Sequence, residues 1–393
     1  MVTSIEERLL QKVEKLLRTG DVATSAFVAE QLRGILQREL EALGPQQPAT
    51  AEERGQRADL LRRIADVQLT VGETATALRY YQQVLAMDPD GPSAARTHAR
   101  LGEQARLGAQ WKDANAHFDQ GIRIFQKHGF EAETAQLLVG KGYVAWRQGR
   151  QDAAQRLMDE AKALAQRLDA KPTLANVAIE LGNLANDRGD INRARACYQE
   201  AVETLKSLEP SPVLARAYNN LGDTHIKVKD WEGAIPYFEE TLRIARRIRD
   251  KQWMGWGAFN AAECYCHIGQ PRRAKEYCDL ALQMLTDKGD KIGLANVSVN
   301  YGIAYRFLGE WAEMVRYFEE GIAHYEELGL DPVAAYSCLE YAQGLVDKGD
   351  KAAALVWARK AVNKYRKAGA TVYQQEAQQL LDELRKGHGA KAD

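Results

Sequence analysis

The chain of 393 residues contains no run of about 18 consecutive apolar residues, and its charges nearly cancel. A bilayer-spanning helix needs about 20 mostly apolar residues, so the sequence predicts no membrane span. Lys and Arg total 53 and Asp and Glu total 54, which gives a formal net charge of −1. No overall basic field therefore favours nucleic acid or an anionic membrane. Glu6 and Glu7 stand where a secretory signal needs positive charge, so we expect no export.

Cysteine is scarce, with five residues in the whole chain. A small odd number does not form a disulfide framework, and free thiols favour a reducing cytoplasm. Cys264, Cys266, His267 and Cys278 are the only group that resembles metal ligands. Because helical residues two apart point about 200° apart, Cys264 and Cys266 do not share an ion readily. We therefore expect no metal and no cofactor.

Sequence signatures of catalysis are also missing. The chain has no Walker-type glycine loop, no His-Glu-x-x-His and no nucleophile elbow, and its seven histidines are scattered. We expect no enzyme active site, since catalysis needs such groups brought together.

A small residue recurs at a fixed interval of forty positions. It occupies Gly102, Gly142, Gly182, Gly222, Ala262, Gly302 and Ala342, and each step is the same, as 222 − 182 = 40 shows. A constant period in this range indicates a stacked array of repeats. A stack also suits a chain longer than a single core readily supports.

Each repeat reads as two amphipathic helices joined by a tight turn. In the segment 173–209, apolar and small residues recur at three- and four-residue steps on both sides of Arg188-Gly189-Asp190. The first run contains Leu174, Val177, Ala178, Leu181, Gly182 and Ala185, and the second contains Ala194, Cys197, Tyr198, Ala201, Val202 and Leu205. This pattern predicts antiparallel helix pairs.

The prolines and glycines at the ends of the helices recur with the same forty-residue period as the core residues. Prolines stand where first helices begin, at Pro92, Pro172, Pro212 and Pro332. Glycines end the first helices at Gly149, Gly189, Gly269, Gly309 and Gly349, while Ala109 and Lys229 fill that place in two copies. A second glycine column follows the second helices at Gly129, Gly289, Gly329 and Gly369. Pro236 lies inside a second helix, where we expect a kink.

The Leu-Gly pairs at 101–102, 181–182 and 221–222, the turn glycines, and an alanine column with a large residue four later resemble the tetratricopeptide repeat. The forty-residue variant is similar to Pins/LGN-type polarity adaptors, kinesin light chains and bacterial regulators of this family. The resemblance implies an all-α fold, a right-handed α-solenoid of stacked antiparallel helix pairs. It covers eight copies over residues 52–369.

Shorter segments flank the array. Residues 1–43 are expected to form a helical hairpin, either a degenerate first repeat or an accessory element, and 44–51 form a linker. A DNA-reading hairpin is disfavoured because the segment is not strongly basic. At the other end we expect a capping helix over 370–386 and a disordered tail over 387–393.

In this family the first helices line the concave side, so the resemblance implies which positions face a groove. Two residues before the repeat glycine the chain carries Arg100, Gly140, Glu180, Asn220, Asn260, Asn300 and Glu340. Peptide-binding grooves of the family use asparagine here, and an amide both donates and accepts hydrogen bonds. Asn220, Asn260 and Asn300 are our candidate clamps for a peptide backbone. The alternative is a polar face that meets only water.

Two further columns are expected to select the peptide. They hold Asn183, Asp223 and Glu263 after the repeat glycine, and Asn176, Arg216, Trp256, Asn296 and Tyr336 six residues before it. Trp256 either anchors a ligand side chain or packs on the neighbouring helix. Early inward positions are rich in arginine, Arg100 among them, and later ones in carboxylates. We therefore expect an acidic segment over the first three repeats.

The sequence favours a non-catalytic, cytoplasmic adaptor that binds an extended peptide of a partner protein, without nucleic acid or membrane insertion. The second hypothesis is a peptide-responsive regulator whose N-terminal hairpin contacts an effector. A third is an architectural spacer with an empty groove and a self-association surface.

Overall fold

The computed structural model describes residues 9, 12, 22–44, 50–286, 289–368 and 371–389. Within these residues the fold is all-α, with eighteen helices and no strand. The helices are α1 Val22–Ala42, α2 Ala51–Thr70, α3 Thr74–Met87, α4 Pro92–Leu107, α5 Trp111–Lys127, α6 Glu131–Arg147, α7 Gln151–Arg167, α8 Lys171–Asp187, α9 Ile191–Leu205, α10 Pro212–Ile226, α11 Trp231–Ile248, α12 Lys251–His267, α13 Pro271–Thr286, α14 Lys291–Leu308, α15 Trp311–Glu327, α16 Asp331–Lys348, α17 Lys351–Lys367 and α18 Thr371–Gly389.

Helices α2 to α17 form stacked antiparallel pairs, which confirms the predicted solenoid class. We call the even-numbered first helix of each pair its A helix and the following odd-numbered helix its B helix. The chain divides into two compact units, residues 1–217 and 218–393, with the boundary inside α10.

Five of the pairs close on a glycine of the A helix that lies against a large side chain of the B helix, as the sequence predicts. Gly182 of α8 lies against Tyr198 of α9, and a Cβ at Gly182 would stand 2.5 Å from Cε1 of that ring. Gly222 bears the same relation to Phe238 in the second unit. Both aromatic rings are almost fully buried. In these pairs the period of forty is therefore the spacing of close helix contacts, at which glycine leaves room for the large side chain.

The turns explain why glycine recurs after the A helices. Gly149, Gly189, Gly269, Gly309 and Gly349 all have a positive φ, between 73° and 87°. Ala109 and Lys229 occupy the same place with φ of 54° and 59°. The repeat thus imposes left-handed backbone even where the residue carries a Cβ, at a cost of about 1–2 kcal/mol.

The ends of the chain are described in part. Helix α1 covers the second segment of the expected N-terminal hairpin, and it packs on α2 through Val28, Leu32 and Leu36. Most of the first segment and residues 45–49 of the expected linker lie outside the described residues. Helix α18 packs on α17 and runs to Gly389, three residues beyond the expected cap, while 390–393 lie outside the described residues. Helix α11 continues as one helix through Pro236.

Candidate peptide-binding face

Neighbouring A helices pack side by side in each unit and form a face that we call the A face. In the second unit, the hydroxyl of Tyr336 in α16 donates a hydrogen bond of 3.2 Å to Oε1 of Glu263 in α12. This bond passes over the intervening α14, where Ile303 is fully buried. Side chains from alternate A helices meet only if the A face curves inward, so it is the inner face of this unit.

Two of the three candidate clamps already hold neighbouring A helices together. Asn260 is 7% exposed, and its Nδ2 donates to Oδ1 of Asn219 at 2.8 Å. Asn300 is 4% exposed, and its Nδ2 donates to the carbonyl oxygen of Phe259 at 2.7 Å. Asn220 is half-buried and also has an interaction partner. Peptide contact by these amides stays a prediction, and for Asn260 and Asn300 a ligand would have to share or displace an existing bond.

In the first unit, predicted site residues form a hydrogen-bonded network between α8 and α10. The guanidinium of Arg216 donates to Oε1 of the buried Glu180 at 3.0 Å and to Oδ1 of Asn176 at 2.7 Å. Asn183 donates to the other oxygen of Glu180 at 3.0 Å and accepts a bond of 2.8 Å from the hydroxyl of Tyr198. Because the carboxylate of Glu180 accepts hydrogen bonds from both the arginine and the amide, its buried charge is compensated.

Trp256 and Asn296 also contact neighbouring helices. The indole Nε1 of Trp256 donates to Oδ2 of Asp290 at 2.8 Å, and its ring lies 5.7 Å from that of Phe259. Asn296 accepts a hydrogen bond from the hydroxyl of Tyr325. Trp256 remains half-buried, so packing accounts for only part of its surface.

Carboxyl groups gather on the A face of the second unit. Burial raises the pKa of Asp223 to about 7, although Lys227 opposes the shift. Burial also raises the pKa of Glu263 to about 7, and the neighbouring charge of Glu340 adds to this effect. Arg306 lies 3.3 Å from the buried Glu340 and compensates it. Because the pKa values of Asp223 and Glu263 are raised to about 7, the charge of this face depends on pH near neutrality.

Arg100 is the most exposed of the predicted site residues. Its side chain is 52% exposed, and its Nε lies 3.5 Å from Oδ1 of Asp66. It stands at a cavity of about 390 Å³ lined by A helices α2, α4 and α6 and by the B helix α5. Gln136, which is not among the predicted site residues, also lines this cavity and occupies the column six residues before Gly142. The forty-residue spacing of this column could have identified it from the sequence.

Among the described side chains, no three His, Cys, Asp or Glu residues converge as metal ligands would. All five cysteines are free, and burial raises the pKa of Cys264, Cys266 and Cys278 above the usual range of a thiol. No helix in the described part of the chain is long and apolar enough to cross a membrane.

Known sequences match parts of this chain. Residues 60–95, 133–207 and 213–287 match models of the tetratricopeptide repeat. The chain is similar to outer dynein arm-docking complex subunit 4 of Danio rerio, with 25% identity over 149 residues, which cover 38% of this chain and 30% of that protein. The Homo sapiens protein of the same name is 24% identical over 142 residues, which cover 36% of this chain and 21% of that protein. The match thus spans less than a third of either relative.

Solved structures resemble the chain over nearly its full length. A Rap protein complexed with competence and sporulation factor has a TM-score of 0.56 at 13% identity, covering 97% of this chain and 98% of its own. The apo form of RapI has a TM-score of 0.64 at 11% identity, covering 93% and 99%. A signal transduction ATPase with a tetratricopeptide repeat sensor from Pyrococcus horikoshii has a TM-score of 0.52 at 15% identity, covering 91% and 54%. At these identities the likeness concerns the fold alone.

Proposed function

Because the chain is a tetratricopeptide repeat protein, we propose that it is a non-catalytic scaffold whose A face binds an extended peptide segment of a partner protein. The observation that carries this proposal is the A face itself, where each unit presents polar side chains at positions repeated every forty residues. An extended chain has its own polar groups at regular intervals and so suits such a surface.

The sequence relatives point in the same direction. They are named as subunits of a docking complex, which is a role in holding proteins together. Since the match covers less than a third of those relatives, we carry over the scaffold role and not their particular partner. Five free thiols favour a reducing compartment, so we place the scaffold in the cytoplasm.

The test is to pan a library of random linear decapeptides against the full chain and to map a selected peptide by hydrogen–deuterium exchange. We expect protection of amides in A helices, because a bound segment shields and stabilises the helices that it contacts. Protection confined to B helices would contradict the proposal. So would a library that yields no specific peptide.

A second candidate is a peptide-responsive regulator in which the N-terminal hairpin contacts an effector. It is favoured by Phe27, which exposes 65% of its surface on α1 while Val28 and Leu32 pack inward. Removal of residues 1–43 separates the two. If the chain is a scaffold, the truncated protein still binds the peptide and the partner protein. If it is the regulator, the truncated protein still binds the peptide but no longer binds the effector.

A further inference from the structure

The cavity on the A face of the first unit exists because one position of the repeat has no side chain. Gly140 stands two residues before the repeat glycine, where most other copies carry a charged or amide side chain. A Cβ at Gly140 would lie 2.9 Å from Cζ of Phe118 in α5. The ring therefore requires glycine, and the missing side chain leaves about 390 Å³ above a floor formed by Phe118, Phe125 and Leu137. This volume is within the range of ligand pockets.

Two of the three carboxylates at this cavity, Asp66 and Glu103, already have strong partners. Asp66 is buried. Its carboxylate accepts a hydrogen bond of 2.5 Å from Nη1 of Arg62 and one of 2.6 Å from the hydroxyl of Tyr81. The carboxylate of Glu103 accepts a hydrogen bond of 2.7 Å from Nε of Arg106. These short charge-assisted bonds neutralise both acids within the fold.

Two arginines at the same cavity lack such bonds. Arg96 approaches Glu133 no closer than 3.7 Å, and Arg100 approaches Asp66 no closer than 3.5 Å. Their side chains are 37% and 52% exposed, against 14% for Arg62. A guanidinium presents five donors in a planar fork that matches a carboxylate. Asp66 already has two closer donors, so Arg100 has free capacity for another anion.

Resting on the proposed function, we infer that this cavity anchors the partner's segment through one acidic side chain. The methylene stem of that side chain lies on the apolar floor of Phe118 and Leu137, and its carboxylate reaches Arg96 and Arg100. The remaining volume accommodates the neighbouring residues of the segment.

The experiment uses decapeptides selected from a random library on the full chain. We expect Asp or Glu at one position, and replacement of that residue by Gln or Asn should weaken binding of a synthetic peptide about 10- to 100-fold. Arg100→Ala and Arg96→Ala should weaken the acidic peptide similarly and leave the amide peptide almost unchanged. A matched control is Arg123→Ala in α5, because Arg123 is 57% exposed and its partner Asp90 lies outside the cavity lining.

Thermal melts of each variant show whether a loss of binding reflects unfolding. Arg100→Lys is a milder change, because it keeps the positive charge but removes the planar guanidinium that binds a carboxylate through two donors. Selected peptides without an acidic position, or an acidic peptide indifferent to both arginines, would overturn this inference and leave the proposed function standing. A library without any specific binder would overturn both.

Discussion

Asn260 and Asn219 join two successive A helices through a bond from Nδ2 of the first to Oδ1 of the second, 2.8 Å long and almost sealed from water. The residues are 41 positions apart, one repeat plus one residue. The bond from Asn300 to the carbonyl of Phe259 has the same offset. Asn260 and Asn300 thus each link two successive A helices, in addition to any contact with a ligand.

Replacing Asn260 by Ala should lower the free energy of unfolding by about 1–3 kcal/mol, because the buried Oδ1 of Asn219 loses its donor. Urea unfolding followed by circular dichroism measures the change. The control is the double mutant with Asn219→Ala, which removes both partners and should cost less than the sum of the two single changes. Strictly additive losses would show that the bond contributes nothing.

Replacing Ala109 by Gly should stabilise the first unit by up to about 1 kcal/mol, because glycine adopts the observed φ of 54° without steric penalty. The matched control is Gly149→Ala, at the equivalent turn with φ of 75° and no atom near the added Cβ. It should destabilise by a similar amount. Thermal unfolding measures both, and a lower melting temperature for the Ala109 variant would contradict the repeat-imposed strain.

The turns and the helix pairing could be predicted from the sequence because both follow from local rules with one period. The place of Ala109 and Lys229 in a glycine column was evident from spacing, and their positive φ agrees with it. The proline positions agree for the same reason, since α4 begins at Pro92 and α10 at Pro212. Such features need no knowledge of how far apart neighbouring helices lie.

The surroundings of the candidate site could not be predicted in this way. A polar face on α12 is visible in the sequence, but whether Asn260 meets solvent or Asn219 depends on how closely α10 and α12 pack. Likewise, the period predicts a glycine at 142 and does not reveal that Gly140 opens a cavity over Phe118. These distances arise from packing between repeats, for which the sequence offers no direct measure.

Replacing Gly182 by Ala should destabilise the protein by about 1–3 kcal/mol, because the new methyl group would overlap the buried ring of Tyr198. Gly55→Ala in α2 is the matched control, since no atom lies within 4 Å of its added Cβ. That control should gain about 0.5–1 kcal/mol from the better helix propensity of alanine. Equal effects of the two changes in a denaturant titration would show that close packing does not explain the repeat glycine.

Glu263 should make the protein less stable as pH rises through neutrality. Burial raises its folded pKa to about 7 from a usual value of 4.5, so the folded state holds a proton that the unfolded state has already lost. The stabilising contribution is complete below pH 4.5 and is lost as the pH rises to about 7. Glu263→Gln should therefore raise the urea midpoint at pH 8 relative to the wild type and flatten the decline between pH 5 and 8. Glu276→Gln, at an exposed position of α13, is the control and should leave the decline in place. If the Glu263 variant keeps the full wild-type decline, the neutral carboxyl at this position is ruled out.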